Sequence, residues 1–241
     1  MLNTNKDKRT GEIKPCEINK SMCGICPDCR LYGSAVGNEV SMKSHVVSDE
    51  SFSMLPYDVV TDEHTFNALY ESGTMVDTES GKHSQALGTD EVVRPGEFFL
   101  DMETISDVTM DEFIYVLGNI MRTSRYGAMT SRLGKMSNTI IGIAFSNCEL
   151  FSNLEWTQET YDEICHALKT PEGQTPAFPI DPKIVGTMAM NVLLRKIKAT
   201  PGSMDVLVDK DLAAVMDHIS GTYKDEDQLK IVLSRIARAP A

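Results

Sequence analysis

Four cysteines fall within fourteen residues, Cys16, Cys23, Cys26 and Cys29, with six, two and two residues between them. The opening residues, MLNTNKDKRTGEIKP, hold no apolar core of a secretory signal, so cytoplasmic residence is expected and thiols there stay reduced. The cluster therefore reads as a metal site rather than a disulfide framework. A two-residue gap lets two thiolates grip one ion while turn amides donate to the sulfurs, and MCGICPDC supplies the glycine and proline such turns use. Zinc fits best, because four soft ligands close a tetrahedron and leave no open position; such a site is a structural staple, not a catalytic centre. An iron–sulfur cluster is the nearest rival, although Cys29 is not followed by proline as in a ferredoxin run. A redox CxxC pair leaves two of the four cysteines unexplained. Cys148 and Cys165 lie in apolar, element-like stretches and read as packing residues.

Charge is the next constraint. Lys+Arg 23 against Asp+Glu 35 gives −12, which on average argues against nucleic acid as a partner. The acidity is local: Asp49 to Glu112 holds sixteen acids and only two bases, Lys82 and Arg94. From Phe113 to Cys148 there is no acid, only Arg122, Arg125, Arg132 and Lys135, and from Lys183 to Met204 only Lys183, Arg195, Lys196 and Lys198. Each stretch reads either as a positive binding face or as an ordinary solvated one. No apolar run reaches the roughly 18 to 20 residues of a membrane helix, and 241 residues at 41% hydrophobic suffice for a packed core.

Punctuation then divides the chain. Between Val40 and about Val108, short β-type runs (VSMKSHVV, FFLDMETI) alternate with turn clusters, and GTMVDTESGKHSQALG reads as an exposed hairpin-like arm. Thr109 caps a predicted helix MDEFIYVLGNIMR, with Asp111 and Glu112 in its first turn, Arg122 in its last, and Phe113, Val116, Leu117 and Ile120 on one face. NTIIGIAFSNCEL follows as a β-branched strand, so the fold class is α+β around a sheet. From Trp156 the pattern is helical: QETYDEICHAL after Thr157, then KIVGTMAMNVLLRKIK opened by Asp181 and Pro182, then VDKDLAAVMDHI and EDQLKIVLSRIA.

The segment MRTSRYGAMTSRLGK gathers Arg122, Arg125, Tyr126, Arg132 and Lys135 among Ser, Thr and Gly. Guanidinium forks and hydroxyls suit phosphate oxygens, glycine lets the main chain approach, and a tyrosine stacks on a base or sugar. The same composition equally suits a basic surface loop with its tyrosine packed on the core. No GxSxG, HExxH, P-loop or GxGxxG occurs, and the histidines at 45, 64, 83, 166 and 218 are scattered; His83, beside Lys82 in the arm, is the one to test.

CGICPDCRLYGSAVG, PGEFFLDMETI and VLGNIMRTSRYGAMTSRLGKMSNTIIGIAFSNCELFSNLEWT together resemble the backbone subunit of type I-D CRISPR interference complexes, the Csc-two type of the Cas-seven superfamily, over roughly residues 10 to 165. The resemblance implies an RNA-recognition-motif-like antiparallel sheet core at 38–155, carrying a thumb or lid arm at about 73–93. It also implies a zinc knuckle at 1–37 and a helical part at 156–241 that returns to the core. Zinc ligands would be Cys16, Cys23, Cys26 and Cys29, and guide contacts Arg122, Arg125, Tyr126, Arg132 and Lys135. The partners it implies are CRISPR RNA, target DNA or RNA through guide pairing, copies of the chain itself in a filament, and other subunits of the Cascade complex, with no membrane and no catalysis. Family members carry a further N-terminal segment with the first core strand, whereas this chain starts close to the knuckle. Two other readings compete. One is a metal-dependent nuclease cutting guide-paired target at intervals, with Asp77 holding the metal; the other is a zinc-stapled regulatory or protein-interaction module.

Overall fold

The computed structural model describes residue 16 and residues 26–33, 41–67, 87–126, 135–202 and 204–236. In chain order the elements are α1 (Pro27–Tyr32), β1 (Val46–Ser48), β2 (Phe52–Ser53), α2 (Tyr57–Val60), β3 (Thr61–Asn67), β4 (Leu87–Val93), β5 (Phe99–Leu100), β6 (Glu103–Ile105), α3 (Met110–Arg122), β7 (Ile143–Ser146), α4 (Asn153–Leu168), α5 (Pro182–Ala199), β8 (Met204–Leu207), α6 (Asp209–Lys224) and α7 (Glu226–Ile236). Mixed helices and small antiparallel ladders make the chain α+β. Among the described residues each ladder has two strands, pairing β1 with β6, β2 with β5, β3 with β4 and β7 with β8. No helix of the described residues is long and apolar enough to cross a membrane.

The chain forms two compact units, each assembled from separated stretches. The first comprises Met1–Glu50, Asp101–Asn153 and Leu193–Ala241. Its helix α3 begins where expected, because Thr109 and Glu112 form a reciprocal capping box: Thr109 Oγ1 accepts from the Glu112 N–H, and Glu112 Oε2 accepts from the Thr109 N–H at 2.8 Å. Leu117 packs with Ile143, Leu212 and Ile219 in a core that Phe113, Ile120 and Tyr223 flank, so α3, β7 and α6 share one apolar interior. Gly118 is required there, since a Cβ on it would lie 1.9 Å from the Tyr223 ring. Ahead of β1, Gly33 ends α1 at φ 70°, where a Cβ would lie 2.5 Å from the Met42 carbonyl oxygen.

The second unit comprises Ser51–Leu100 and Leu154–Val192. Trp156 and Ile164 of α4 are buried with Val185, Ala189 and Val192 of α5, and the Trp156 indole N–H donates to the Ala189 carbonyl at 3.0 Å. β3 and β4 pair from Thr61↔Val93 to Asn67↔Leu87, flanking residues 68–86, where most of the expected arm falls outside the described residues.

Two sequence expectations are refined. FFLDMETI reads as one strand yet divides: Phe99–Leu100 pairs in the second unit and Glu103–Ile105 in the first. Asp101 breaks the run, its Oδ1 accepting from the Met102 N–H at 2.9 Å, the local bond by which Asp competes with a ladder. Helix α4 starts at Asn153, five residues before the expected start at Gln158, which brings Trp156 onto its buried face. The Asp181–Pro182 start of α5 is as expected, with Asp181 Oδ1 accepting from the Lys183 N–H at 2.8 Å.

Candidate metal centre and nucleic-acid interface

Cys26 caps α1, its sulfur accepting from the Cys29 N–H at 3.5 Å, and Pro27 takes the first helical position, where its missing N–H costs nothing. That geometry puts Cys26 and Cys29 on one end of a six-residue helix, both buried, and Cys16 reaches the same point from upstream. Cys16 Sγ lies 3.8 Å from Cys26 Sγ and 3.6 Å from Cys29 Sγ, and all three sulfurs sit within 4.8 Å of one another. A zinc ion holding tetrahedral sulfurs at about 2.3 Å separates them by about 3.8 Å, so the three are spaced to hold one metal ion. A multi-iron cluster instead spreads four cysteines over at least two irons. Cys23, the remaining ligand candidate, lies outside the described residues.

Helix α1 is fastened to α3 by three polar side chains. Arg30 Nε donates to Glu112 Oε1 at 3.1 Å, completing the partners of a carboxylate that is only 3% exposed. The Tyr115 hydroxyl donates to Asp28 Oδ1 at 2.7 Å, and burial, reinforced by the Asp28 carboxylate, pushes that phenol well above its usual range. Asn119 Nδ2 donates to the Tyr32 hydroxyl at 3.0 Å; burial raises the Tyr32 phenol, and the Asn119 bond partly opposes this.

The basic segment starts on the last turn of α3. Arg122 Nε donates to the Gly118 carbonyl at 3.1 Å and Nη2 to Asn119 Oδ1 at 2.7 Å, while its Cζ lies 4.2 Å from the centroid of the Tyr223 ring. Burial pushes Tyr223 up to about 12 against the opposing pull of Arg122, and its hydroxyl donates to the Tyr115 carbonyl at 2.9 Å. Beyond the helix, the Met136 N–H donates to the Ser124 carbonyl at 2.9 Å. Asn138 Nδ2 lies within hydrogen-bonding distance of the carbonyls of Ile120 and Thr123 and of the Tyr126 hydroxyl, the last at 2.6 Å. These bonds close the base of the loop and put Arg125 and Lys135, both exposed, beside the paired Ser124 and Met136. Tyr126 is 45% exposed and so is a surface ring, not a core one. Arg132 lies outside the described residues.

The second basic stretch is shared between the units, Lys183 in one and Arg195, Lys196 and Lys198 in the other, with Lys196 Nζ 5.2 Å from the Phe151 ring centroid. His45 Nδ1 sits 3.0 Å from the Ser106 carbonyl oxygen; His83 and Asp77 are outside the described residues. Sequence reasoning missed Asn119, Asn138, Tyr32 and Tyr223. Asn119 one helical turn before Thr123 had a local signal, whereas Tyr223 is more than a hundred residues from Arg122 and had none.

No curated protein matches the chain. The sequence profile described as Csc2 CRISPR matches residues 2–233, nearly the whole length. That match spans both compact units, the cysteine cluster and the basic segment, and by it the chain belongs to the Csc2 CRISPR family.

Proposed function

We propose that this chain is a non-catalytic, cytoplasmic backbone subunit of a type I-D CRISPR effector complex, several copies of which line one CRISPR RNA beside other Cascade subunits and support recognition of a DNA or RNA target by guide pairing. The observation that carries the reading is the acid-free segment that leaves α3, at whose hydrogen-bonded base Arg122, Arg125, Tyr126 and Lys135 are exposed in a member of a CRISPR family. Arginine forks and a lysine contact phosphates without reading bases, and an exposed tyrosine stacks on any base; a backbone subunit must accept every guide sequence. Arg132, within the same stretch of sequence, is assigned the same role in this proposal. In this proposal the core around α3, with β6 before it and β7 after it, is RNA-recognition-like, the segment about 73–93 is its thumb, and zinc is held by Cys16, Cys26 and Cys29 with Cys23 as fourth ligand. When bound, the ion would supply a crosslink between the upstream segment and α1, and the cysteines of α1 would fix the start of that helix.

Purified protein tests this at once. It should carry nucleic acid, seen as a raised ratio of absorbance at 260 to 280 nm that ribonuclease lowers, and about one zinc per chain by elemental analysis. Assembled complex given magnesium and labelled target should leave that target uncut. A nucleic-acid-free protein with no affinity for RNA, or a product ladder lost in Asp77→Ala, would each overturn the reading.

A further inference from the structure

We infer that the cysteine cluster governs how Arg122 is presented, through a side-chain relay in which Tyr32 and Asn119 are positioning residues; the inference rests on the proposed RNA contact of the basic segment.

The relay starts at the metal end. A six-residue helix does not persist on its own backbone bonds, because nucleation costs more than one turn returns. Helix α1 is held at its start by Cys26 and Cys29, and along its length by Asp28 to Tyr115, Arg30 to Glu112 and Tyr32 to Asn119. Losing the cluster frees the first of these supports and lets the helix end, with Tyr32, drift.

Chemistry then dictates the next link. A guanidinium can only donate, so the Asn119 amide must turn its oxygen to Arg122 Nη2, which leaves its NH2 needing an acceptor. The Tyr32 hydroxyl is that acceptor, at 3.0 Å. With Asn119 fixed in this way, Arg122 is held by two acceptors from the preceding turn, Gly118 O and Asn119 Oδ1, and its Cζ lies 4.2 Å from the centroid of the Tyr223 ring. Two of its five N–H groups serve these bonds, and the side chain stays exposed. A preoriented fork loses less rotamer freedom when it meets a phosphate, so the relay raises affinity without adding a charge. Lys135 lies across the loop base and takes no part in it.

The test is a set of RNA affinities on the zinc-loaded full chain, on the same protein after chelation with metal loss confirmed by elemental analysis, and on Tyr32→Phe and Lys135→Ala in both states, using single-stranded RNA of unrelated sequences. Tyr32→Phe should keep its zinc and its far-ultraviolet circular dichroism. It should bind RNA about three- to tenfold more weakly, as the loss of one hydrogen bond's worth of orientation implies, with the slope of log affinity against log salt unchanged because no charge is removed. Chelation should weaken wild type by a similar factor and speed hydrogen exchange at residues 119–126, should do the same to Lys135→Ala, and should add nothing to Tyr32→Phe. If chelation and Tyr32→Phe multiply, or if neither changes affinity while Lys135→Ala does, the relay is overturned and the basic segment stands. If Lys135→Ala and Arg125→Ala both bind as wild type, the RNA reading itself has failed and this inference with it. Global loss of helical signal on chelation would make the metal part of the main fold and overturn a local relay.

Discussion

Gly118 shows how one missing Cβ organises the end of α3. Its absence admits the Tyr223 ring against the helix, and the ring in turn carries the Arg122 guanidinium. In an exposed helix Gly→Ala gains about 1 kcal/mol, yet here a Cβ would stand 1.9 Å from a ring whose hydroxyl is bonded to Tyr115. Gly118→Ala should therefore reverse the usual sign and cost about 1–3 kcal/mol in chemical denaturation, as overpacking does; a stabilised variant would show that the ring moves freely. The tyrosines give a second prediction. A phenol whose folded pKa exceeds its unfolded value binds its proton more tightly in the folded state, so its contribution is complete below about 10 and is lost as pH rises through the folded value. Tyr223, at about 12, with Tyr32 and Tyr115 also raised, should make stability to urea fall between about pH 10 and pH 12, and Tyr223→Phe should flatten that fall. Thr109 as the cap of α3 and Glu112 as an acid of its first turn were legible, both being local signals of a helix start. The Arg30 that also satisfies Glu112 was not, because 82 residues separate them.

Elements differ in how far sequence reaches them. Helices α3, α5, α6 and α7 follow from apolar positions at helical spacing with caps and charged ends, and each forms. The strands were only partly legible, since alternation specifies a strand but not its partner: FFLDMETI divides between two ladders, and Met204–Leu207, too short to stand out after a proline–glycine turn, becomes the partner of β7. Helix α1 is held to α3 largely by polar contacts, and Arg30–Glu112 is its most buried pair, with side chains 16% and 4% exposed. Arg30→Ala leaves the carboxylate short of its charged partner, and because Thr109 still donates to it the cost should sit near the lower end for broken buried pairs, about 3 kcal/mol by denaturation. A loss below about 1 kcal/mol would mean that water replaces the guanidinium. Asn138→Ala should open the base of the basic loop, seen as faster hydrogen exchange at residues 120–126 with the rest of α3 unchanged; uniform exchange across α3 would make Asn138 a helix residue in effect.

At the scale of the whole molecule, charge was legible by counting and assembly was not. The acid-free stretch from Phe113 to Cys148 lies wholly in the first compact unit, which also holds Arg195, Lys196 and Lys198, whereas the chain as a whole carries −12. That each unit draws on separated stretches is set by long-range packing, which no local pattern encodes. The cysteine cluster was legible from spacing, and three of its four members meet within 4.8 Å. The central claim is that the exposed base of the loop after α3 binds RNA through charge and without reading sequence. The most direct measurement is the affinity of wild type, Arg125→Ala and Lys135→Ala for unrelated single-stranded RNAs across a range of salt concentrations. Each variant should bind more weakly by the same factor for every RNA and should flatten the slope of log affinity against log salt by up to about 0.7, one released counterion contact. Variants with wild-type affinity and slope but a lower melting temperature would contradict the claim, leaving the segment a structural loop.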